Sequence, residues 1–161
     1  MHDMLVKLYD LPGLDAALDA MSRQGIAIRR AIGPEKSTVT AWVRANFPAS
    51  AAEVEIACGR LPMACFVALR GSQMVGFACH DATARNYFGP EAVLAAERGH
   101  GVGRALLLAV LHAQRAQGYA YAIIGGVGPA AFYSRCVGAV PIADSDPGIY
   151  AGMLRPARTD D

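Results

Sequence analysis

The hydrophobic residues of this chain follow two spacings, one typical of helices and the other of strands. Apolar positions recur every three or four residues in several segments that glycine, proline or polar residues separate. The predicted helices cover residues 14–24, 34–47, 50–61, 102–117 and 129–136. Short apolar runs bounded by turn residues predict strands at residues 4–9, 26–32, 63–69, 74–79, 88–94, 119–124, 139–143 and 149–154. The first of these is interpreted as an edge strand, and Gly125 and Gly126 allow close approach of another group to the chain. Trp42 is expected to be a core residue.

The order of these elements constrains how the strands pair. Residues 63–69 and 74–79 are separated by a short turn, which predicts a hairpin. The strands at 88–94 and 119–124 are joined by the predicted helix at 102–117, so they are expected to be parallel neighbours. The chain shows no internal repeat, and we expect one domain over residues 1–161.

Composition narrows the class of protein. Hydrophobic residues make up 53% of the 161 positions and charged residues 18%, which suits a folded domain with a sizeable core. A net charge of +1 gives no basic footprint for nucleic acid. The longest apolar run, residues 105–111, is shorter than the about 20 residues that cross a bilayer, and residues 1–4 lack the charges of a secretion signal. We therefore expect a cytoplasmic protein that does not enter a membrane.

The cysteines carry no sign of a metal site. Cys58, Cys65, Cys79 and Cys136 contain no Cys-x-x-Cys spacing, the arrangement that zinc sites commonly use. In the reducing compartment expected here they are predicted to be buried free thiols. The sequence thus predicts neither a metal nor a disulfide.

A glycine-rich loop separates the strand at 88–94 from the long helix. It contains Arg98, Gly101 and Gly103 in the order Arg-x-x-Gly-x-Gly. Glycines let the backbone turn tightly and let a ligand approach it, and the start of a helix offers free N–H groups and a partial positive charge. The loop therefore predicts an anion site suited to phosphate, with charge added by Arg98 and Arg104.

Two common phosphate loops do not fit this stretch. The P-loop requires Lys followed by Ser or Thr after its last glycine, and neither follows Gly103. The dinucleotide fingerprint Gly-x-Gly-x-x-Gly fails because Gly99, Gly101 and Gly103 are each two residues apart. A helix-start loop that binds nothing remains the alternative.

The loop and a second block resemble motifs of the GNAT superfamily of acetyl-CoA-dependent N-acetyltransferases. The loop is similar to the family's Gln/Arg-x-x-Gly-x-Gly/Ala signature, although His100 stands where Lys or Arg is usual and Ala95 where proline is frequent. Residues 128–139 are similar to its Ala-x-x-Phe-Tyr-x-x-x-Gly helix and turn, without the asparagine common at its start. The resemblance covers about residues 26–155, so residues 1–25 are interpreted as an extension before the core.

The resemblance implies an α/β (α+β) fold. The expected GNAT sheet is mixed and mostly antiparallel, has six to seven strands flanked by helices, and carries a parallel strand pair at the cofactor site. The implied cofactor is acetyl-CoA, and Tyr133 matches the family tyrosine that sits near the sulfur, from where it can protonate the leaving thiolate. A tyrosine on this helix that only packs is the alternative. The cofactor-binding residues that the resemblance implies are Val93, Leu94, Arg98, Gly99, His100, Gly101, Val102, Gly103, Arg104, Pro129 and Phe132.

A general base is less clearly marked. An amine must lose a proton to attack a thioester, and Asp81, His80 and Glu91 lie near the predicted edge of the cleft. We take Asp81 as the second candidate catalytic residue. Each of these residues also fits a surface or capping role, and many members of the superfamily need no base beyond water.

The resulting functional hypothesis is transfer of an acetyl group from acetyl-CoA to a primary amine of a small molecule or peptide by direct attack on the thioester. An acyl-CoA-binding sensor or partner module without turnover is the alternative, because it needs the same loop. Transfer to oxygen, or of a longer acyl group, is a weaker third reading. Residues 1–25 are interpreted as a packing extension or, alternatively, as an arm that covers the cleft or joins a homodimer.

Overall fold

The computed structural model describes residues 1–155 and shows one seven-stranded sheet with helices on both faces. The strands, in chain order, are β1 Met4–Lys7, β2 Ile26–Arg30, β3 Cys65–Arg70, β4 Gln73–His80, β5 Tyr87–Val93, β6 Tyr121–Ile124 and β7 Val140–Pro141. The helices are α1 Leu14–Arg23, α2 Lys36–Asn46, α3 Ala51–Cys58, α4 Val102–Ala116 and α5 Ala130–Val137. Residues 156–161 of the predicted single domain lie outside the described part, and that assignment stays a prediction.

The strands lie in the order β2-β3-β4-β5-β6-β1-β7. Every neighbouring pair is antiparallel except β5 and β6, which are parallel and joined through α4. The predicted fold class is therefore confirmed, including its single parallel pair. The hairpin of β3 and β4 is also observed where the sequence predicts it.

The parallel strands β5 and β6 pair only where β5 begins and β6 ends. Their register joins Tyr87 to Ile123 and Phe88 to Ile124, and there the pairing ends. Strand β5 continues to Val93, whereas β6 stops at Ile124 and is followed by Gly125 and Gly126. A wedge-shaped gap therefore opens between strand β5 and the segment after β6, at the edge of the sheet where β5 leads into the glycine loop.

Two hydrophobic clusters cover the two faces of the sheet. On one face, α4 buries Leu106, Leu107, Leu108 and Leu111 against the strands, with α1 and α5 packed beside it. On the other face, Val43 of α2 and Val54 of α3 pack on Phe77. Each such side chain contributes roughly 1.5–3 kcal/mol when it is fully buried. Both clusters share the central strands, so the site at the end of β5 is fixed from both sides.

Residues 1–25, interpreted from the sequence as an extension before the core, contribute a strand to the sheet itself. Strand β1 lies inside the sheet between β6 and β7, with Leu5 opposite Ile123 on one side and Val140 on the other. Val6 and Leu8 have no exposed surface. The packing interpretation of these residues is correct, but β1 is an interior strand and not an edge.

The predicted closing strands also differ from the structure. The segment 139–143 shortens to Val140–Pro141, because proline has no N–H to continue a ladder. Residues 149–154 form no strand, and a short 3-10 turn at Gly148–Tyr150 takes their place. In the sheet, β1 lies between β6 and β7 and pairs with both. Among the described residues, no helix has the length and apolar character needed to span a bilayer.

Candidate active site

The glycine loop has the geometry of an anion site. Gly99 and Gly101 have φ angles of +80° and +91°, a region that favours glycine. Helix α4 begins directly after Gly101. Within residues 1–155, the backbone N–H groups of residues 99–104 have no hydrogen-bond acceptor in the protein. A loop whose donors are all unpaired at a helix start is suited to an oxyanion such as pyrophosphate.

The rest of the loop is held in place by its own side chains and by neighbouring elements. Arg98 Nε donates to the Val93 carbonyl at 3.0 Å, so this side chain helps to hold the start of the loop. Gln24 Nε2 donates to the His100 carbonyl at 3.1 Å. The guanidinium of Arg70 binds both oxygens of Glu97 at 2.9 and 2.7 Å. The Val93 and His100 carbonyls thus accept hydrogen bonds, while the amides of residues 99–104 stay available for a ligand.

The predicted loop residues contribute in different ways. The Val102 side chain is buried in the core, so only its amide can serve a ligand. His100 and Arg104 are exposed, and within residues 1–155 neither Arg98 nor Arg104 forms an ion pair. A Cβ on Gly103 would lie 3.6 Å from Glu91 Oε1 and 3.7 Å from Phe132 Cζ, so glycine lets α4 approach β5 and α5.

The gap between β5 and β6 offers main-chain donors along one edge. The Leu94 amide donates to the Val75 carbonyl at 2.9 Å and is therefore used within the sheet. Because successive amides of a strand point in opposite directions, the Val93 amide faces the gap. The structure thus separates the two predicted residues: Val93 can serve a ligand through its amide and Leu94 cannot. Pro129 starts α5 on the far side of the gap.

Tyr133 is a residue of α5, and its side chain lies next to Glu91. Its ring contacts Phe88, with 6.1 Å between centroids, and Phe132, with 5.1 Å. Burial raises the Tyr133 pKa, and the Glu91 charge and hydrogen bond raise it further. Burial raises the pKa of Glu91 to about 8, opposed by the Tyr133 hydroxyl. Glu91 Oε1 is buried and has no hydrogen-bond partner within the described residues. Both groups therefore keep their protons at neutral pH.

Asp81 does not meet the other predicted residues. It follows β4, and β4 runs antiparallel to β5, so Asp81 lies beside the start of β5 while the glycine loop follows its end. Asp81 Oδ1 accepts the Asn86 amide at 2.6 Å and Oδ2 contacts His80 Nδ1 at 2.7 Å. These contacts hold the turn between β4 and β5. Asp81 is separated from the glycine loop by the length of β5.

A cavity of about 610 Å³, here called the tyrosine pocket, adjoins the end of β6. Its lining includes Glu53 of α3, Gly125, Gly126, Asp146 and Tyr150. A Cβ on Gly125 would lie 2.6 Å from the Tyr150 hydroxyl and 2.8 Å from the Tyr87 ring, so only glycine fits. The sequence pointed to close approach at Gly125 and Gly126 but gave no sign of the tyrosines.

Carboxylates surround the tyrosine pocket. Asp3 is 5% exposed, and its oxygens accept the Gly126 amide at 2.8 Å and the Tyr87 hydroxyl at 3.4 Å. After burial itself, the charges of Asp3 and Glu53 are the largest causes that raise the Tyr150 pKa. Asp146 is paired with the Met1 ammonium and Arg155 also lines the pocket, so three carboxylates against two cations leave a net charge of −1. The sequence alone did not indicate this, because Asp3, Glu53 and Asp146 are far apart in the chain.

Two further expectations concern the cysteines and Trp42. Cys58, Cys65, Cys79 and Cys136 are free thiols. No group of metal-binding side chains occurs within residues 1–155. Trp42 contacts Phe47 and Phe77, with centroids 5.7 and 6.4 Å away, as expected of a core residue. It also borders a more apolar cavity of about 710 Å³ on the face of α2.

Comparison with known proteins supports the same fold. Residues 62–136, just under half of the chain, match the family "Acetyltransferase (GNAT) domain". This match includes β4, β5, the glycine loop, α4 and most of α5. No curated protein matches the chain.

Two solved structures illustrate the fold. One contains the GCN5-related glucosamine N-acetyltransferase region of a fungal multi-domain GH3 β-N-acetylglucosaminidase, with 16% identity and a TM-score of 0.72 over 88% of this chain. The other is a GCN5-related N-acetyltransferase from Sphaerobacter thermophilus, with 20% identity and a TM-score of 0.63 over 88% of this chain. This chain spans 19% of the first protein and 48% of the second.

At these identities the two structures show that the fold is shared, and they do not indicate the substrate of this chain. The family match adds to this, because it includes the glycine loop with its unpaired amides. The resemblance predicted from the sequence is thereby confirmed: residues 62–136 match a GNAT acetyltransferase domain, and the fold is shared with GCN5-related N-acetyltransferases.

Proposed function

We propose that this protein transfers an acetyl group from acetyl-CoA to a primary amine of a small molecule or peptide. The observation that carries the proposal is the gap between β5 and β6, which opens directly beside a loop whose amides, from Gly99 to Arg104, are unpaired. The loop suits the pyrophosphate, and the gap suits the extended pantetheine arm. Acetyl-CoA supplies the acyl carbon and the thiol leaving group.

Residues at the gap supply what the transfer requires. The Val93 amide faces the gap and can stabilise negative charge on the acyl oxygen as the amine attacks. The C–S bond then breaks, and Tyr133 donates its hydroxyl proton to the departing sulfur. The raised Tyr133 pKa keeps that proton in place until then. The amine loses its own proton to water, because Asp81 lies too far along β5 and Glu91 is itself protonated.

We further propose that the acceptor enters through the tyrosine pocket and is cationic. This pocket adjoins the end of β6, where the gap begins, and Glu53, Asp3 and Asp146 outweigh the Met1 ammonium and Arg155 there by one charge. An amine with a second positive group would pair with Glu53 while its neutral amine attacks. In the apolar cavity beside Trp42, the one carboxylate, Glu35, is already paired with Arg29.

The decisive experiment joins binding to turnover. Native mass spectrometry of the purified protein is expected to show one bound coenzyme A or acetyl-CoA. A panel of amines, read by released thiol, is expected to favour diamines over monoamines that carry no second positive group. Glu53→Gln should raise the KM for the cationic acceptors. Glu55→Gln is the control, because Glu55 is on the same helix but does not line the tyrosine pocket.

The alternatives give different results in the same assay. An acyl-CoA-binding module would bind the cofactor and release no thiol with any acceptor. Transfer to oxygen would favour alcohols over amines, and a longer donor would react faster than acetyl-CoA. Absence of any cofactor binding would contradict the proposal at its first step.

A further inference from the structure

A second polar cavity lies at the opposite end of the sheet from the glycine loop. Its volume is about 290 Å³, and we call it the His80 cavity. Arg60, His80, Asp81, Arg85, Gln117 and Tyr119 are its polar lining. It sits where β4 ends and β5 begins, next to the C-terminal end of α4. The proposed transfer reaction uses none of these residues.

His80 presents an unused nitrogen to this cavity. The side chain is 1% exposed, and Nδ1 contacts Asp81 Oδ2 at 2.7 Å. Nε2 is buried and has no hydrogen-bond partner among the described residues. Burial lowers the His80 pKa, although the Asp81 charge and hydrogen bond oppose this. In the neutral ring Asp81 fixes the proton on Nδ1, which leaves Nε2 as an acceptor that requires a donor.

The charges at the His80 cavity favour an anion. Arg60 and Arg85 are exposed at its rim, and within residues 1–155 neither forms an ion pair. Both oxygens of Asp81 are already engaged by His80 and the Asn86 amide. With His80 neutral, two guanidinium groups against one carboxylate leave a net charge of +1.

Two other uses of a buried histidine fit less well. A metal cation would be repelled by Arg60 and Arg85, and the described residues contain no group of three metal-binding side chains. A paired His and Asp can also activate a nucleophile, but no serine, threonine or cysteine lines the cavity. Binding of a ligand explains both the free acceptor and the unpaired arginines.

We propose that the His80 cavity binds a small oxyanion that also carries an O–H group, such as hydrogen phosphate or a hydroxycarboxylate. The anionic oxygens pair with Arg60 and Arg85, for which guanidinium geometry is well suited. The O–H donates to His80 Nε2. This site is separate from the glycine loop, so the proposal stands apart from the transferase reaction.

Phosphate and sulfate provide the test, because they share shape and size but differ in protonation. At neutral pH inorganic phosphate keeps at least one O–H and sulfate keeps none. Calorimetric titration of the full chain is expected to show saturable phosphate binding and sulfate binding at least about tenfold weaker. Equal binding of the two ions, or no saturable binding of phosphate, would overturn the proposal.

Variants locate the ion. Arg60→Ala and Arg85→Ala should each weaken phosphate binding about tenfold, as expected for one charge-assisted contact. Arg23→Ala removes the same charge from the end of α1, outside the cavity, and should leave the affinity unchanged. Phosphate held at the glycine loop would be insensitive to both cavity variants, and that result would also overturn the proposal.

His80→Phe tests the hydrogen bond directly. The ring keeps its bulk but loses the acceptor, so the preference for phosphate over sulfate should fall to near one. A retained preference would contradict the role of Nε2. If the variant does not fold, the phosphate-to-sulfate ratio of the unmodified protein still decides the question, since it needs no substitution.

Discussion

The side chains of Tyr133 and Glu91 lie next to each other in the fold, and burial raises the pKa of both. Each side chain therefore holds its proton at neutral pH. A protonated tyrosine can donate to a leaving thiolate, whereas a protonated glutamic acid cannot accept a proton from an amine. The pair therefore supports an acid role for Tyr133 and argues against Glu91 as the base below about pH 8.

The first prediction concerns the Tyr133 hydroxyl. Tyr133→Phe keeps the ring packed on Phe88 but removes the donor. We expect cofactor affinity to stay near wild type while kcat and kcat/KM for the acceptor fall together, by on the order of 10²-fold. Steady-state kinetics with an acceptor from the amine panel measures this. Turnover at the wild-type rate would remove Tyr133 from the mechanism and leave protonation of the thiolate to water.

The second prediction concerns the stability of the fold against pH. The Glu91 pKa is about 8 in the folded chain against 4.5 for the ordinary group, so the folded state binds more protons between these values. Stability contributed by the protonated group is therefore present below about pH 4.5 and is lost as the pH rises to about 8, by at most about 1.4 kcal/mol per unit.

Glu91→Gln should remove this dependence, because the amide keeps the shape without titrating. Urea unfolding at several pH values, compared between the variant and wild type, measures the difference. Parallel pH profiles of the two proteins would show that the Glu91 carboxyl is not held protonated by the fold.

Single residues also show the limit of sequence reasoning. Tyr133 and the loop glycines were predicted from local motifs, and the structure brings Tyr133, Val93 and the loop to one end of β5. Asp81 was assigned to the same cleft, but it follows a strand antiparallel to β5 and lies at the other end. Tyr150 and Asp3 were not predicted, because only tertiary folding brings the ends of the described chain together.

At the scale of elements, α4 and its loop are the part best determined by local sequence. The apolar repeat predicted a helix over residues 102–117, and the observed helix is Val102–Ala116. Positive φ angles at Gly99 and Gly101 explain why the loop needs glycine. Helix α1 supports the loop through Gln24, and Met21 Cε lies 3.2 Å from where a Cβ on Gly101 would be.

The third prediction separates loop geometry from general strain. Gly101→Val would force a branched side chain into a φ of +91° beside Met21 and distort the free amides. We expect acetyl-CoA affinity to fall strongly in calorimetric titration. Gly118→Val is the matched control, because Gly118 has a φ of +98° and lies at the other end of α4. An equal affinity in the two folded variants would mean that the loop does not bind the cofactor.

At the scale of the whole molecule, seven of the eight predicted strands are observed, but the order of the strands in the sheet was not predictable. Periodicity indicates that a segment is a strand, but it does not say which neighbour the strand takes. Apolar and polar residues alternate only loosely in the segment of β1, and Pro12 follows it closely, so the strand was expected at an edge of the sheet. Its position between β6 and β7 depends on partners more than a hundred residues away in the chain.

The fourth prediction tests whether β1 belongs to the core. Val6 is fully buried and the next residue, Lys7, is exposed. Val6→Ala should lower the free energy of unfolding by about 2 kcal/mol, and Lys7→Ala by less than about 0.5 kcal/mol. Chemical denaturation of both variants measures the difference. Equal values would place β1 outside the cooperative unit.

The position of β1 has a consequence for how the protein is made. Residues 4–7 leave the ribosome early, but their partners at 121–124 and 140–141 follow more than a hundred residues later. At about 5–20 residues per second this segment, with its apolar Val6, waits for at least several seconds without a partner. Ribosome-bound chains that end near residue 118 should therefore be cleaved by protease within residues 1–10, and complete chains should resist. Resistance in the shorter chains would show that another element shields β1 during synthesis.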